Sequence, residues 1–373
     1  MSRRDSTAWK ILQTIQLRWD RFKLEVKRRL DRFDPLVLLA YRSHAGNGKI
    51  RVLGRLIEDK GVERLPEDSS VLRNVLNTIR RFESDEIPDA VVVARFRDVT
   101  VQDRTDHEGF FDLVMEPEAE LEPGWHGVEV ELLESMAGAA GTTSTAEILV
   151  PSPDAEFAVI SDVDDTVLET RATDRLTEIR LIFSRSASER SSMPGAAPLY
   201  RALEDGRDGG ASNPFFYVSM SGWGLYDLMA EFLDTNDFPK GPIYLQDIAI
   251  LEAKSPELGS ENHKRDTIRR LLEDYPDLPF VLIGDSGQQD PETYRDIVEQ
   301  HSDRIRAVLI RAVTPPERDS EVRSIVQEII DMGVQAAAAE SSVSLARAAA
   351  DFGLVPDEAI AAVREGMVKK REE

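Results

Sequence analysis

The sequence contains no cysteine. Disulfides, thiolate nucleophiles, iron–sulfur clusters and cysteine-ligated zinc are therefore excluded. Histidine is scarce, with five in 373 residues at 44, 107, 126, 263 and 301. No two have the i, i+4 spacing that sets a pair of imidazoles on one face of a metalloprotease helix. An excess of positive charge is missing too: 46 Lys and Arg face 69 Asp and Glu, a net charge of −23. That balance is wrong for coating nucleic acid, which needs surplus cations against phosphate. No run of about 18 apolar residues occurs, so no membrane-spanning helix is expected. The start, MSRRDSTAWKILQTIQLRW, lacks the apolar core and small-residue cleavage site of a secretory signal, and the expected location is cytoplasmic.

What is present is the composition of a folded protein, 41% hydrophobic and 31% charged. At this length two or three domains are expected. Residues 1–34 stand apart as a basic amphipathic helix. Ten Lys or Arg meet four acids over residues 1–33, and Leu12, Ile15, Trp19, Phe22 and Val26 recur at helical spacing until Pro35. Such a stripe usually packs on the protein's own body. Beside so much positive charge, it also suits peripheral contact with an anionic membrane at its inner face.

Residues 35–150 read as a small, β-rich, sandwich-like accessory domain. Ile50–Ile57, Ala90–Phe96, Phe110–Met115 and Val128–Leu133 are short and β-branched, with turn residues between them. One helix, with Val71, Val75, Leu76 and Ile79 on a face, is expected among them. Gly46-Asn47-Gly48-Lys49 is not a phosphate loop, since Ser43 replaces the first glycine and Ile50 the Ser/Thr. A hairpin turn fits it better.

Pro151-Ser152-Pro153 mark a boundary, and residues 151–333 change pattern. The apolar runs Phe157–Ile160, Phe215–Val218, Ile243–Leu245, Phe280–Ile283 and Ile305–Ile310 alternate with helical segments. This predicts an α/β domain whose parallel sheet is covered on both faces, with its chemistry at the carboxyl ends of the strands. Residues 334–373, rich in alanine, are expected to be a helical appendage that includes Ala336–Ala339.

Chemistry-bearing residues follow three of these runs. After the first comes Ser161-Asp162-Val163-Asp164-Asp165-Thr166, and after the second Ser219-Met220-Ser221. After Phe280–Ile283 comes Gly284-Asp285-Ser286-Gly287-Gln288-Gln289-Asp290. Between the last two, Asn262-His263-Lys264 open an expected helix whose apolar face holds Ile268, Leu271 and Leu272. A D-x-D-x-T string is common by chance, and an acid after a strand often does no more than cap a helix. The ordered series of four is the stronger signal.

That series resembles the haloacid dehalogenase superfamily of phosphohydrolases over roughly residues 155–315. SDVDDTV (161–167), MPGAAPLYRAL (193–203), FFYVSMSGWGLYDLMAEFL (215–233), FPKGPIYL (238–245) and LIGDSGQQDPETY (282–294) narrow it. Together they resemble the catalytic domain of the actin-patch type of phosphatidate phosphatase. Gly222 departs from the proline that many relatives carry there. TDHEGFF (105–111) is similar to turns in transthyretin-like regulatory domains.

The resemblance implies a haloacid dehalogenase-like Rossmannoid sheet and a Mg²⁺-dependent phosphomonoesterase working through an aspartyl-phosphate. Asp162 would be the nucleophile, and Asp164 the general acid and base. Ser219 and Lys264 would hold the phosphoryl group, with Ser221 the alternative serine. Asp162, Asp285 and Asp290, with the main-chain carbonyl of Asp164, would hold Mg²⁺, which suits an all-oxygen site. Thr166 would order the loop, Trp223 would anchor a loop or lie near acyl chains, and His263 could meet phosphate. Arg171, Arg175, Arg180, Arg185 and Arg190 would suit a phosphomonoester head group or be solvated. The implied substrate is phosphatidate, hydrolysed to diacylglycerol and phosphate. The rival readings are a phosphatase of soluble phosphometabolites or phosphoproteins, and a binding module without catalysis.

Overall fold

The computed structural model describes residues 35–58, 86–135, 141–163, 193–246, 256–314 and 316–372. The expected N-terminal helix, the helix around residues 71–79, Asp164–Thr166 and the five arginines from 171 to 190 lie outside them.

Eight strands form the N-terminal sheet: β1 (Leu36–Ala40), β2 (Ser43–Gly46), β3 (Lys49–Glu58), β4 (Val91–Phe96), β5 (Val99–Arg104), β6 (Phe110–Met115), β7 (Gly124–Glu134) and β8 (Thr143–Val150). Their order is β1-β3-β2-β8-β7-β4-β5, with β6 paired to β3. All neighbours are antiparallel except β2 and β8. One apolar core, including Leu38, Val52, Phe111, Val92, Val130 and Ile148, joins residues from both halves of the sheet. The rejected phosphate loop is the two-residue turn between β2 and β3. Asn47 and Gly48 both have positive φ there, 49° and 73°, as the commonest tight hairpin requires. The sequence reading missed β1, β2, β5 and β8.

The second sheet is wholly parallel: β9 (Ala158–Asp162), β10 (Phe215–Gly222), β11 (Ile243–Gln246), β12 (Phe280–Asp285), β13 (Ile305–Arg311) and β14 (Gln335–Ala339). The order β11-β10-β9-β12-β13-β14 is doubly wound, reversing direction between β9 and β12. Five of the six are the apolar runs read from the sequence. The sixth corrects an expectation, since Ala336–Ala339 is strand, paired with Val308–Arg311. Alanine's helical preference is weak and is overridden where a sheet edge offers a hydrogen-bonding partner.

Helices α1 (Ala196–Asp205), α2 (Tyr226–Thr235), α3 (Pro256–Asp274), α4 (Asp290–His301), α5 (Pro316–Asp331), α6 (Ser342–Asp351) and α7 (Glu358–Glu372) cover this sheet. Helices α1, α2, α6 and α7 pack on one face, where Val159, Tyr217, Ile283 and Leu309 point. Helices α3, α4 and α5 pack on the other, over Ile160, Val218, Leu282 and Val308. Burial on both faces explains why these strands read as unbroken apolar runs.

The two sheets meet through β2. His44 is 1% exposed; its Nε2 lies 2.8 Å from Asp274 on α3, and its Nδ1 2.6 Å from the Tyr244 hydroxyl on β11. Phe216 and Tyr275 close over the ring. Burial pushes its pKa below the ordinary value, and Arg51 and Arg270 act the same way against the opposing pull of Asp274. His44 is thus harder to protonate in the folded chain than in the unfolded one. An unfolded histidine takes up a proton near pH 6.5, so acidification below that point favours the unfolded chain and removes stability. One such proton accounts for up to about 1.4 kcal/mol per pH unit. In His44→Gln this contribution is gone. Its urea midpoint should therefore fall less steeply than the parent's between pH 6.5 and 5, as read by circular dichroism.

Candidate active site

In a doubly wound sheet the crevice opens where strand order reverses, outside the carboxyl ends of the strands. Here that point lies between β9 and β12, and Asp162 and Asp285 end those two strands. Val218 of β10 stands level with Asp162, so Ser219 emerges one step beyond it on the neighbouring strand. Asp162, Ser219 and Asp285 are all fully buried.

Lys264 comes from the α3 side. The helix begins at Pro256, earlier than the expected start near Asn262, so Lys264 sits in its interior, in line with Ile268 and Leu271. The ammonium lies 2.8 Å from Asp162 Oδ1 and also bonds Asp290 Oδ1. It is 4% exposed. Burial opposes its charge, but the two carboxylates outweigh that and hold its pKa well above that of a free lysine.

Asp290 opens α4 yet does not cap it, because the N-cap is Gln289 and makes no side-chain bond. Its Oδ2 instead accepts the amide of Asp285 at 3.2 Å. Asp285 Oδ1 accepts the amides of Gly287 and Gln288 at 2.6 and 3.1 Å, curling the loop back on its own carboxylate. Carboxylate oxygens of Asp162, Asp285 and Asp290 lie within 4.8 Å of one another. Carboxylates gathered this closely repel one another, a cost that a bound cation would relieve. Donors that are all carboxylate oxygens fit a hard divalent cation. These residues could hold a metal.

Supporting contacts fix the frame. The Ser161 hydroxyl donates to the Asp162 carbonyl at 2.8 Å and shares a 2.7 Å bond with the Tyr200 hydroxyl on α1. Tyr294 donates to the Ile283 carbonyl, tying α4 to β12. From α5, Arg318 donates to the carbonyls of Ser286 and Gln288 and pairs with Glu292, so one guanidinium spans the loop. Tyr200 and Tyr294 lie within MPGAAPLYRAL and LIGDSGQQDPETY, where nothing in the sequence assigns them a role. Arg318 lay beyond all of the motifs and carried no signal.

Of the residues singled out from the sequence, Asp162, Asp285, Asp290 and Lys264 converge, with Ser219 and Ser221 at the adjacent strand end. Asp164 is outside the described residues. His263 is turned toward β11, where it bonds the main chain of Tyr244; burial lowers its pKa to about 4, so it is neutral. Trp223 is a loop anchor, stacked on Tyr41 at 4.5 Å.

Residues 157–312 match the family described as phosphatidate phosphatase APP1, catalytic domain. Over 277 residues the chain is 30% identical to phosphatidate phosphatase APP1 of Saccharomyces cerevisiae, covering 69% of this chain and 45% of the yeast protein. An uncharacterized protein of Schizosaccharomyces pombe is 26% identical over 158 residues, 42% of this chain and 25% of that protein. The chain thus spans less than half the length of the curated relatives it matches. Among solved structures, a carbohydrate acetylesterase from Xanthomonas citri overlaps 86% of this chain and 75% of its own at 11% identity, with a TM-score of 0.27. So slight a likeness carries no argument.

Gly284 generates a test of the cluster. A Cβ there would stand 2.3 Å from Asp290 Oδ2 and 2.8 Å from its Cβ, so Gly284→Ala must push Asp290 off its position. The substitution should raise by about tenfold the divalent-cation concentration that half-saturates thermal stabilisation. An unchanged cation dependence would remove Asp290 from the metal-holding set.

Proposed function

We propose that residues 157–312, a catalytic domain of the phosphatidate phosphatase APP1 family, hydrolyse a phosphomonoester with Mg²⁺ through an aspartyl-phosphate, and that the substrate is phosphatidate. The observation that carries this reading is the meeting of Asp162, Asp285 and Asp290 around Lys264 at the carboxyl ends of a parallel sheet. In this reading the sheet is haloacid dehalogenase-like.

Asp162, Asp285 and Asp290, with the Asp164 carbonyl, would hold Mg²⁺. Bound there, the ion supplies positive charge that lets a carboxylate approach an anionic phosphate. Lys264 fixes one oxygen of Asp162 and adds positive charge from the α3 side. Asp162 attacks phosphorus; the bond from phosphorus to the leaving oxygen breaks, and that oxygen takes a proton from the Asp164 carboxyl. A water molecule then attacks the aspartyl-phosphate and gives a proton to the Asp164 carboxylate. The bond between phosphorus and Asp162 breaks, releasing phosphate and restoring both side chains. Ser219 donates its hydroxyl hydrogen to a phosphoryl oxygen, which gathers charge in the transition state.

Phosphatidate is favoured by the activity for which the yeast relative is named, a protein that aligns with 69% of this chain. No helix among the described residues is long and apolar enough to cross a membrane. In the lipid reading, the basic segment 1–33 brings the protein to an anionic surface. An N-terminal helix binding only the protein's own body belongs to the soluble-substrate rival.

The deciding assay follows phosphate release from phosphatidate in mixed micelles, beside an aryl phosphate and several phosphometabolites. Release should be greatest from phosphatidate and vanish in Asp162→Asn and without Mg²⁺. Release from soluble esters alone would keep the chemistry and overturn the substrate. Release from nothing would leave a binding module. Separately, removing residues 1–33 should abolish sedimentation with anionic vesicles and leave aryl phosphate turnover unchanged. Sedimentation that survives the truncation would assign membrane contact elsewhere.

A further inference from the structure

We infer that the N-terminal β domain is a working part of the phosphate site: Tyr41 clamps Trp223 and thereby positions the strand end that carries Ser219. The role of Ser219 itself rests on the phosphatase reading.

The ladder between β10 and β11 is irregular at this strand end. Val218 pairs with Tyr244 and Gly222 with Gln246, so three residues of β10, Ser219 to Ser221, face the single residue Leu245. A bulge of this kind leaves the extra residues out of the ladder and re-aims their side chains. Inside it, the Ser219 hydroxyl oxygen accepts the Ser221 amide at 3.0 Å, a local bond that ties the bulge to itself. Gly222, the joint to the following turn, contributes no side-chain restraint. Trp223 follows, and residues of the other domain pack against it.

Tyr41, in the two-residue link between β1 and β2, stacks on Trp223 with centroids 4.5 Å apart and planes 26° apart. It also packs on Tyr226 at 4.4 Å. Phe110 of β6 closes a further side of Trp223 at 5.7 Å, and Arg55 lies over Phe110. The next residue of the link completes the grip. The Arg42 amide donates to the Tyr226 hydroxyl at 2.7 Å, and its guanidinium forks onto Asp234 of α2 at 3.0 and 2.6 Å. Tyr41 is 2% exposed, so its own face of the stack is shielded from water, while Trp223 and Phe110 are half-buried. Aromatic pairs of this geometry contribute beyond their buried area.

The test measures amide hydrogen exchange across β10 and steady-state hydrolysis of an aryl phosphate. In Tyr41→Leu, amides of residues 220–225 should exchange about tenfold faster while those of β9 and β12 keep their protection. Tyr41→Phe, which retains the ring, should behave as the parent. In kcat/KM, Trp223→Leu should lose about tenfold in the parent background and nothing further when Ser219→Ala is already present, because the two changes act through one contact. Unchanged exchange at residues 220–225, uniform loosening of all strands, or multiplying losses in the double variant would each overturn the clamp. The exchange arm decides it even if the parent hydrolyses no phosphomonoester, an outcome that would overturn the phosphatase reading alone.

Discussion

Three carboxylates and one ammonium buried together at the end of a parallel sheet set the terms for the rest of this molecule. Such a cluster is stable only if every member is held in place and the remaining negative charge is met. The structure meets the first need from several directions. Strands β9 and β12 deliver Asp162 and Asp285 side by side, α3 brings Lys264 across them, and Asp290 reaches back from the start of α4. The second need is what a divalent cation would satisfy.

The requirement for fixed positions spreads outward. Gly284 must be glycine because the Asp290 side chain occupies the space its Cβ would need. Arg318 spans the loop from Ser286 to Glu292 from outside. Tyr200 braces the turn below Asp162 through Ser161. The aromatic stack around Trp223 extends the same logic into the β domain. The interface between the two sheets is accordingly aromatic and hydrogen-bonded, from the His44–Asp274–Tyr244 chain at one end to Tyr41 and Arg42 at the other.

Much of this was legible because burial leaves its mark on composition. The five apolar runs of the second sheet could be little else, since only strands covered on both faces forgo polar alternation. The three motifs at their ends, and the lysine on the helix between two of them, follow from chemistry that needs acids, hydroxyls and a lysine together. Other elements were hidden by the same physics. Strands β1 and β2 are five and four residues long and leave little periodicity to read, and the β14 alanines favour a helix until β13 offers them an edge. Asp290, first in its helix, looks like a cap until Lys264 and the Asp285 amide are seen on its carboxylate.

By itself, then, the sequence determined which residues end the parallel strands, that those ends carry acids in a fixed order, and that no thiol or histidine pair could serve instead. It did so because periodicity and residue type are local properties. Tertiary structure alone decided that Lys264 stands between Asp162 and Asp290, that Arg318 holds their loop, and that Tyr41, 182 positions before Trp223, lies against it. Those contacts join residues far apart in the chain, and only the folded arrangement of sheets and helices brings their side chains within bonding distance.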